Sequence, residues 1–250
     1  MHDRLADKSE SRFEPAGSSR RLRGQKVRRL IWFCVPLVAL VSLAESGRIA
    51  LAHTPANCSA GGFDPARIAS LEGAGWEAYY ARNWLRVFGL MVQMNREQFC
   101  MPLPVAVAAA VDIVRAGAAF APTDNDTAAA TAHLERFYVQ ARRFRHLRAE
   151  AKTLAALEMD YWLVHRSLAV ERKQAANHAG DIEPMVEALA RLHAALFAAP
   201  PDAIRRSAQL RAEAARTVDR ITGGYSSDIE GDWRQAGEFL HEAYSALPQP

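Results

Sequence analysis

Leu154-Ala-Ala-Leu157-Glu-Met-Asp-Tyr161-Trp-Leu-Val164-His-Arg-Ser-Leu168 sets the fold class. Its apolar residues at 154, 157, 161, 164 and 168 lie three and four apart, the repeat that gathers side chains on one stripe of an α-helix. The same spacing continues toward the C-terminus in Met185, Leu189, Leu192 and Leu196, a helix started by Asp181. Pro200-Pro201-Asp202 then separates it from an arginine- and alanine-rich helix ending at Gly223-Gly224, where positive φ suits a C-terminal cap. Ser226 or Ser227 is expected to open the last helix, running to about Leu247.

Toward the N-terminus the signals are of the same kind. Asp64-Pro65 reads as an N-cap followed by proline at the first helical position, ahead of Ile68, Leu71, Gly75 and Tyr79. Asn83 caps a continuation to about Phe99, and the nearly uncharged, alanine- and valine-rich run from Pro104 to Ala121 reads as a helix buried on most sides. Turn residues Thr123 to Asp126 follow, and Leu134, Phe137, Ala141 and Phe144 resume the helical repeat. No stretch alternates like a strand, no repeat has a fixed period and no linker divides these helices. The expectation is one all-α, helical-bundle-like domain of six to eight helices over residues 65–247, behind a linker at 53–64 and a leader at 1–52.

The leader carries an address. Six bases without an intervening acid (Arg20, Arg21, Arg23, Lys26, Arg28, Arg29) run into fifteen uncharged, largely apolar residues, Leu30 to Ala44. That order is the layout of a secretory signal, and Ser42-Leu43-Ala44 and Ala50-Leu51-Ala52 both offer small side chains for cleavage. As a helix the run covers roughly 22 Å against a hydrocarbon core of roughly 30 Å, which favours cleavage over anchoring. Three readings stay open: export with cleavage, a single-pass anchor touching the membrane through residues 30–44, and a leader on a cytoplasmic protein.

Composition supports an ordered body, with half the residues hydrophobic. Residues 1–44 hold nine of the 31 bases and four of the 28 acids, leaving 22 against 24 and a net charge of −2 behind the leader. A nucleic-acid partner is not expected of such a body, which offers only short basic strips such as Arg142, Arg143, Arg145, Arg148 and Lys152. Cys34 would leave with a cleaved signal, so Cys58 and Cys100 form a possible disulfide in an oxidising compartment.

Chemical motifs are scarce. Glycine-rich phosphate loops, a nucleophile elbow and His-Glu-x-x-His are all missing from the sequence, which removes their chemistries as expectations. Glu158, Trp162 and His165 share one helical face and are expected to line the main concavity, with Tyr79, Tyr80 and Glu135 contributed by other helices. Glu238-Phe-Leu-His241 supplies only half of a di-iron bundle motif, so no metal or cofactor is assigned.

Trp76-Glu-Ala-Tyr-Tyr-Ala-Arg-Asn-Trp84, Ala121-Pro-Thr-Asp-Asn-Asp126 and Asp160-Tyr-Trp-Leu-Val-His-Arg166 resemble a set of uncharacterised bacterial helical proteins over roughly residues 65 to 247. The resemblance implies a single helical body and no particular activity. Two functional classes follow: a helical binding or scaffold protein at or beyond the cytoplasmic membrane, recognising a small apolar ligand or a protein partner, and an enzyme using Glu158 and His165 in an inter-helical pocket, with or without a metal.

Overall fold

Asp64 decides where the first helix starts: its carboxylate accepts hydrogen bonds from the Ala66 and Arg67 amides at 2.9 and 3.1 Å, satisfying donors that the first turn leaves open. The computed structural model describes residues 58, 62–145, 147–175, 178 and 180–248. The leader over residues 1–52, its apolar run and Cys34, and most of the linker lie outside them.

Eight helices and no strand occur among the described residues. They are α1 (Pro65–Tyr80), α2 (Trp84–Phe99), α3 (Leu103–Phe120), α4 (Thr127–Arg145), α5 (Ala151–Gln174), α6 (Glu183–Phe197), α7 (Pro201–Gly223) and α8 (Ile229–Ser245). Asn83 caps α2 through the Arg86 amide at 3.2 Å, and Gly224 ends α7 at φ 78°, as the sequence predicts. The opening of α8 differs. Asp228, not Ser226 or Ser227, stands directly before the first helical residue Ile229, and its carboxylate accepts the Gly231 amide at 2.9 Å.

Short turns return the chain so that each helix packs on its predecessor, and α8 packs on α1 to close the circuit. Three apolar groups fill the ring. Phe99, Leu134, Phe137 and Leu154 belong to the first, on α2 to α5. Met185, Leu189, Ala208, Ala212 and Ala215 form the second, where alanines let α7 approach α6 closely. Phe63, Ile68, Ile204, Leu240 and Tyr244 form the third, at the junction of α1, α7 and α8.

Helix α3 departs from its expected burial. It is long and apolar enough to cross a membrane by length and composition, yet only one face is covered, through Ala106, Ala109, Ala110, Ala116 and Phe120. Hydropathy reports how apolar a helix is, not how many sides its neighbours reach, and α2 and α4 leave Pro104, Ala108, Arg115 and Ala118 exposed.

Cys58 and Cys100 are joined in a disulfide with Cα atoms 5.6 Å apart. Cys100 caps α2 in the left-handed region at φ 55°. Beside it, Arg145 at the end of α4 donates to the Gln98 carbonyl at 2.8 Å and the Gly62 carbonyl at 2.9 Å, fixing the entry of the chain onto the body.

Candidate functional site

Charged and hydroxyl side chains meet inside the ring where apolar residues are the norm. Glu72 of α1, with 4% of its surface exposed, accepts from Arg211 of α7 on one oxygen and from the Tyr244 hydroxyl of α8 at 2.5 Å on the other. A buried carboxylate needs such partners, since leaving one unpaired costs several kcal/mol on the order of what a domain can lose. Burial alone would pull the Arg211 guanidinium down, but Glu72 with Tyr244 and Tyr161 holds it well above its usual value. Burial, reinforced by Glu72, lifts the Tyr244 phenol well above its own.

His193 of α6 joins this group through its Nε2, 3.5 Å from an Arg211 Nη1 that can only donate. The ring proton therefore sits on Nδ1, which is buried without a hydrogen-bond partner, as is Arg211 Nε. Burial, with the positive charge of Arg211, pushes the His193 pKa down to about 3. The unfolded chain binds a proton there near pH 6.5 and the folded one does not. Stability is therefore lost as pH falls below about 6.5, by about 1.4 kcal/mol per unit and about 2 kcal/mol by pH 5. Urea unfolding at pH 7 and pH 5 checks this. His193→Gln is expected to flatten that part of the profile, and an unchanged acid slope would exclude His193 as its source.

Glu158 and Trp162 are brought together as their spacing predicts, with Trp162 Nε1 donating to Glu158 Oε1 at 2.9 Å. The other carboxylate oxygen accepts from Tyr138 of α4 at 2.7 Å, a partner invisible to helix periodicity. Trp162 leans on Phe120 with ring centroids 5.3 Å apart. His165 turns to a different carboxylate: its Nε2 lies 3.0 Å from Asp219 of α7, and its ring stacks on Tyr161. Asp219 also pairs with Arg172, and both are buried while the His165 side chain keeps 21% exposure. Glu158 and His165 thus share a face of α5 but serve two separate clusters.

Tyr79 and Tyr80 meet edge to face at 5.3 Å, and Tyr79 also meets Trp84. Burial raises the pKa of the half-buried Tyr79 phenol, while Tyr80 keeps 40% of its surface exposed and has no hydrogen bond, ion pair or ring contact to His165 or Asp219 among the described residues. Glu135 is half-buried on α4, and no hydrogen bond, ion pair or ring contact among the described residues ties it to the other five. Sequence reasoning passed over Glu72, Arg211, Asp219 and Tyr138. The available signal was charge in a core register, with Glu72 one turn after Ile68 and Arg211 two turns after Ile204.

A concavity lies elsewhere. An open cleft of about 540 Å³ runs between α1 and α8, and none of the six expected residues lines it. The buried Ala69 and Ala236 with Gly73 and Gly237 form its depth, the half-buried Trp76 and Trp233 its walls, and exposed Glu77, Arg86 and His241 its rim. Small side chains make the space, and a Cβ at Gly73 would meet only Leu240 Cδ1 at 3.8 Å. Among the described residues no three His, Cys, Asp or Glu side chains group to hold a metal ion. Compared with known families, curated proteins and solved structures, the chain finds no match.

Proposed function

We propose that the protein is a non-catalytic helical binding module, working at or beyond the cytoplasmic membrane, that holds a small ligand with an apolar body in the α1–α8 cleft. The cleft itself carries the reading. Its volume of about 540 Å³ falls in the range of small-molecule sites, and two tryptophans over a floor of alanine and glycine suit a flat or chain-like apolar group. Arg86 and His241 at the rim supply donors for a polar or anionic end. The basic and apolar leader and the Cys58–Cys100 disulfide support a location in an oxidising compartment.

An enzymatic reading ranks second and rests on one observation, the pairing of a partly exposed His165 with a buried Asp219, which orients the imidazole for proton transfer. No nucleophile is hydrogen-bonded to that imidazole among the described residues.

The test is titration with 1-anilinonaphthalene-8-sulfonate, an aromatic anion that matches both the walls and the rim. Saturable binding at one site is expected, with energy transfer from Trp76 and Trp233. Gly73→Leu fills the depth of the cleft without straining the backbone and is expected to weaken binding by about tenfold or more while the melting curve is retained or improved. Unsaturable binding, or a titration indifferent to Gly73→Leu, would exclude the cleft as the site.

A further inference from the structure

We infer that the exposed strip at the end of α4 and the start of α5 is a docking surface for an anionic lipid bilayer, holding the body against the membrane by the same end at which the leader enters. Residues 142–152 hold five cations (Arg142, Arg143, Arg145, Arg148, Lys152) and a single carboxylate, Glu150. Glu150 is spent on Arg142, which grips it with both terminal nitrogens at 2.6 and 2.9 Å, and Arg145 is engaged with backbone carbonyls. Arg143, Arg148 and Lys152 are exposed, with no carboxylate paired to them among the described residues.

Apolar side chains sit among these cations. Val139 is 40% exposed, and together with Leu147, Arg142 and Arg143 it lines an open groove of about 500 Å³. Cations flanking an exposed Val139 and a half-buried Leu147 suit a bilayer interface: the charges meet headgroup phosphates and the aliphatic groups face the acyl boundary. Nucleic acid would use the cations but gain nothing from Val139 and Leu147.

Position supplies the second argument. Arg145, in the middle of the strip, bonds directly to Gly62, and Cys58 is fastened to Cys100 at the same end. Thirteen residues lie between Ala44 and Cys58, a reach of at most about 50 Å, so a chain held by its apolar run keeps this end within that distance of the lipid surface. The inference rests on the membrane reading of the leader. Its test probes contact of the body alone, so the two fail separately.

In the full chain, Cys34→Ser with Val139→Cys leaves one free thiol for an environment-sensitive nitrobenzoxadiazole label. On vesicles of equimolar phosphatidylglycerol and phosphatidylcholine the label is expected to brighten and shift to the blue. Arg143→Glu/Arg148→Glu/Lys152→Glu is expected to weaken that response by at least about tenfold at matched lipid, although the leader still holds the chain on the vesicles. A label that stays in water on vesicle-bound protein, or a triple variant that responds like its parent, overturns the proposal. A shift without lipid at rising protein concentration would assign the face to a second copy. An equal shift on neutral vesicles would reduce it to an apolar contact, and either result also overturns the inference.

Discussion

Replacing Arg211 with methionine is expected to cost about 3–5 kcal/mol of stability, because it strips the cation from a carboxylate sealed inside the ring. Glu72 would keep only the Tyr244 hydroxyl, a neutral donor, while remaining 4% exposed. Methionine fills most of the arginine stem, which separates the loss of charge from the opening of a cavity. Chemical denaturation of Arg211→Met, Glu72→Gln and the double variant measures it. The double variant is expected to be more stable than Arg211→Met alone, since no charge is then left buried. A single-variant loss below about 1 kcal/mol would mean that water reaches Glu72.

Breaking the Cys58–Cys100 bond is expected to cost about 4 kcal/mol, from the entropy regained by a loop of about 43 residues in the unfolded chain. Its position adds a second consequence. The bond ties the entry segment to the end of α2, so reduction also frees the chain ahead of Phe63, whose ring packs on Phe197 and Tyr244. Melting with and without reductant gives the size of the effect, and Cys58→Ser/Cys100→Ser reproduces it without chemistry on other groups. Thiol counting on denatured, unreduced protein should find neither cysteine free. A melting curve unmoved by reductant would remove both the stabilisation and the support it lends to an oxidising location.

Helix boundaries were legible wherever a local cause set them. The aspartate before Pro65, Asn83 and the glycine pair at the end of α7 act within a turn of their own position, so one sequence suffices to find them. Near the start of α8 three capping side chains stand in three consecutive positions, and local chemistry does not choose Asp228 over Ser226 and Ser227. The interior polar groups were harder for a different reason. Glu158 and Trp162 lie one turn apart and were found, whereas Arg211 is 139 residues from Glu72 and Tyr244 is 172 from it. Periodicity carries no information about which distant helix faces which. The cleft was missed on the same ground, since it is made by small residues of α1 and α8 facing each other, and small residues give no apolar signal.

Closure of α8 on α1 removes the distinction between beginning and end. Phe63, just ahead of α1, meets Tyr244 of α8 with ring centroids 5.9 Å apart, and Leu247 belongs to the same apolar group. A short peptide could therefore join the two termini of the body, and new termini cut at the three-residue turn between α6 and α7 would leave every neighbouring pair of helices except that one still covalently linked. The native order of helices is in this sense one choice of starting point on a loop of eight. What marks the natural starting point is the entry segment, which the Cys58–Cys100 bond ties to the end of α2 and the Arg145–Gly62 hydrogen bond to the end of α4, so one position on an otherwise endless ring is fastened twice.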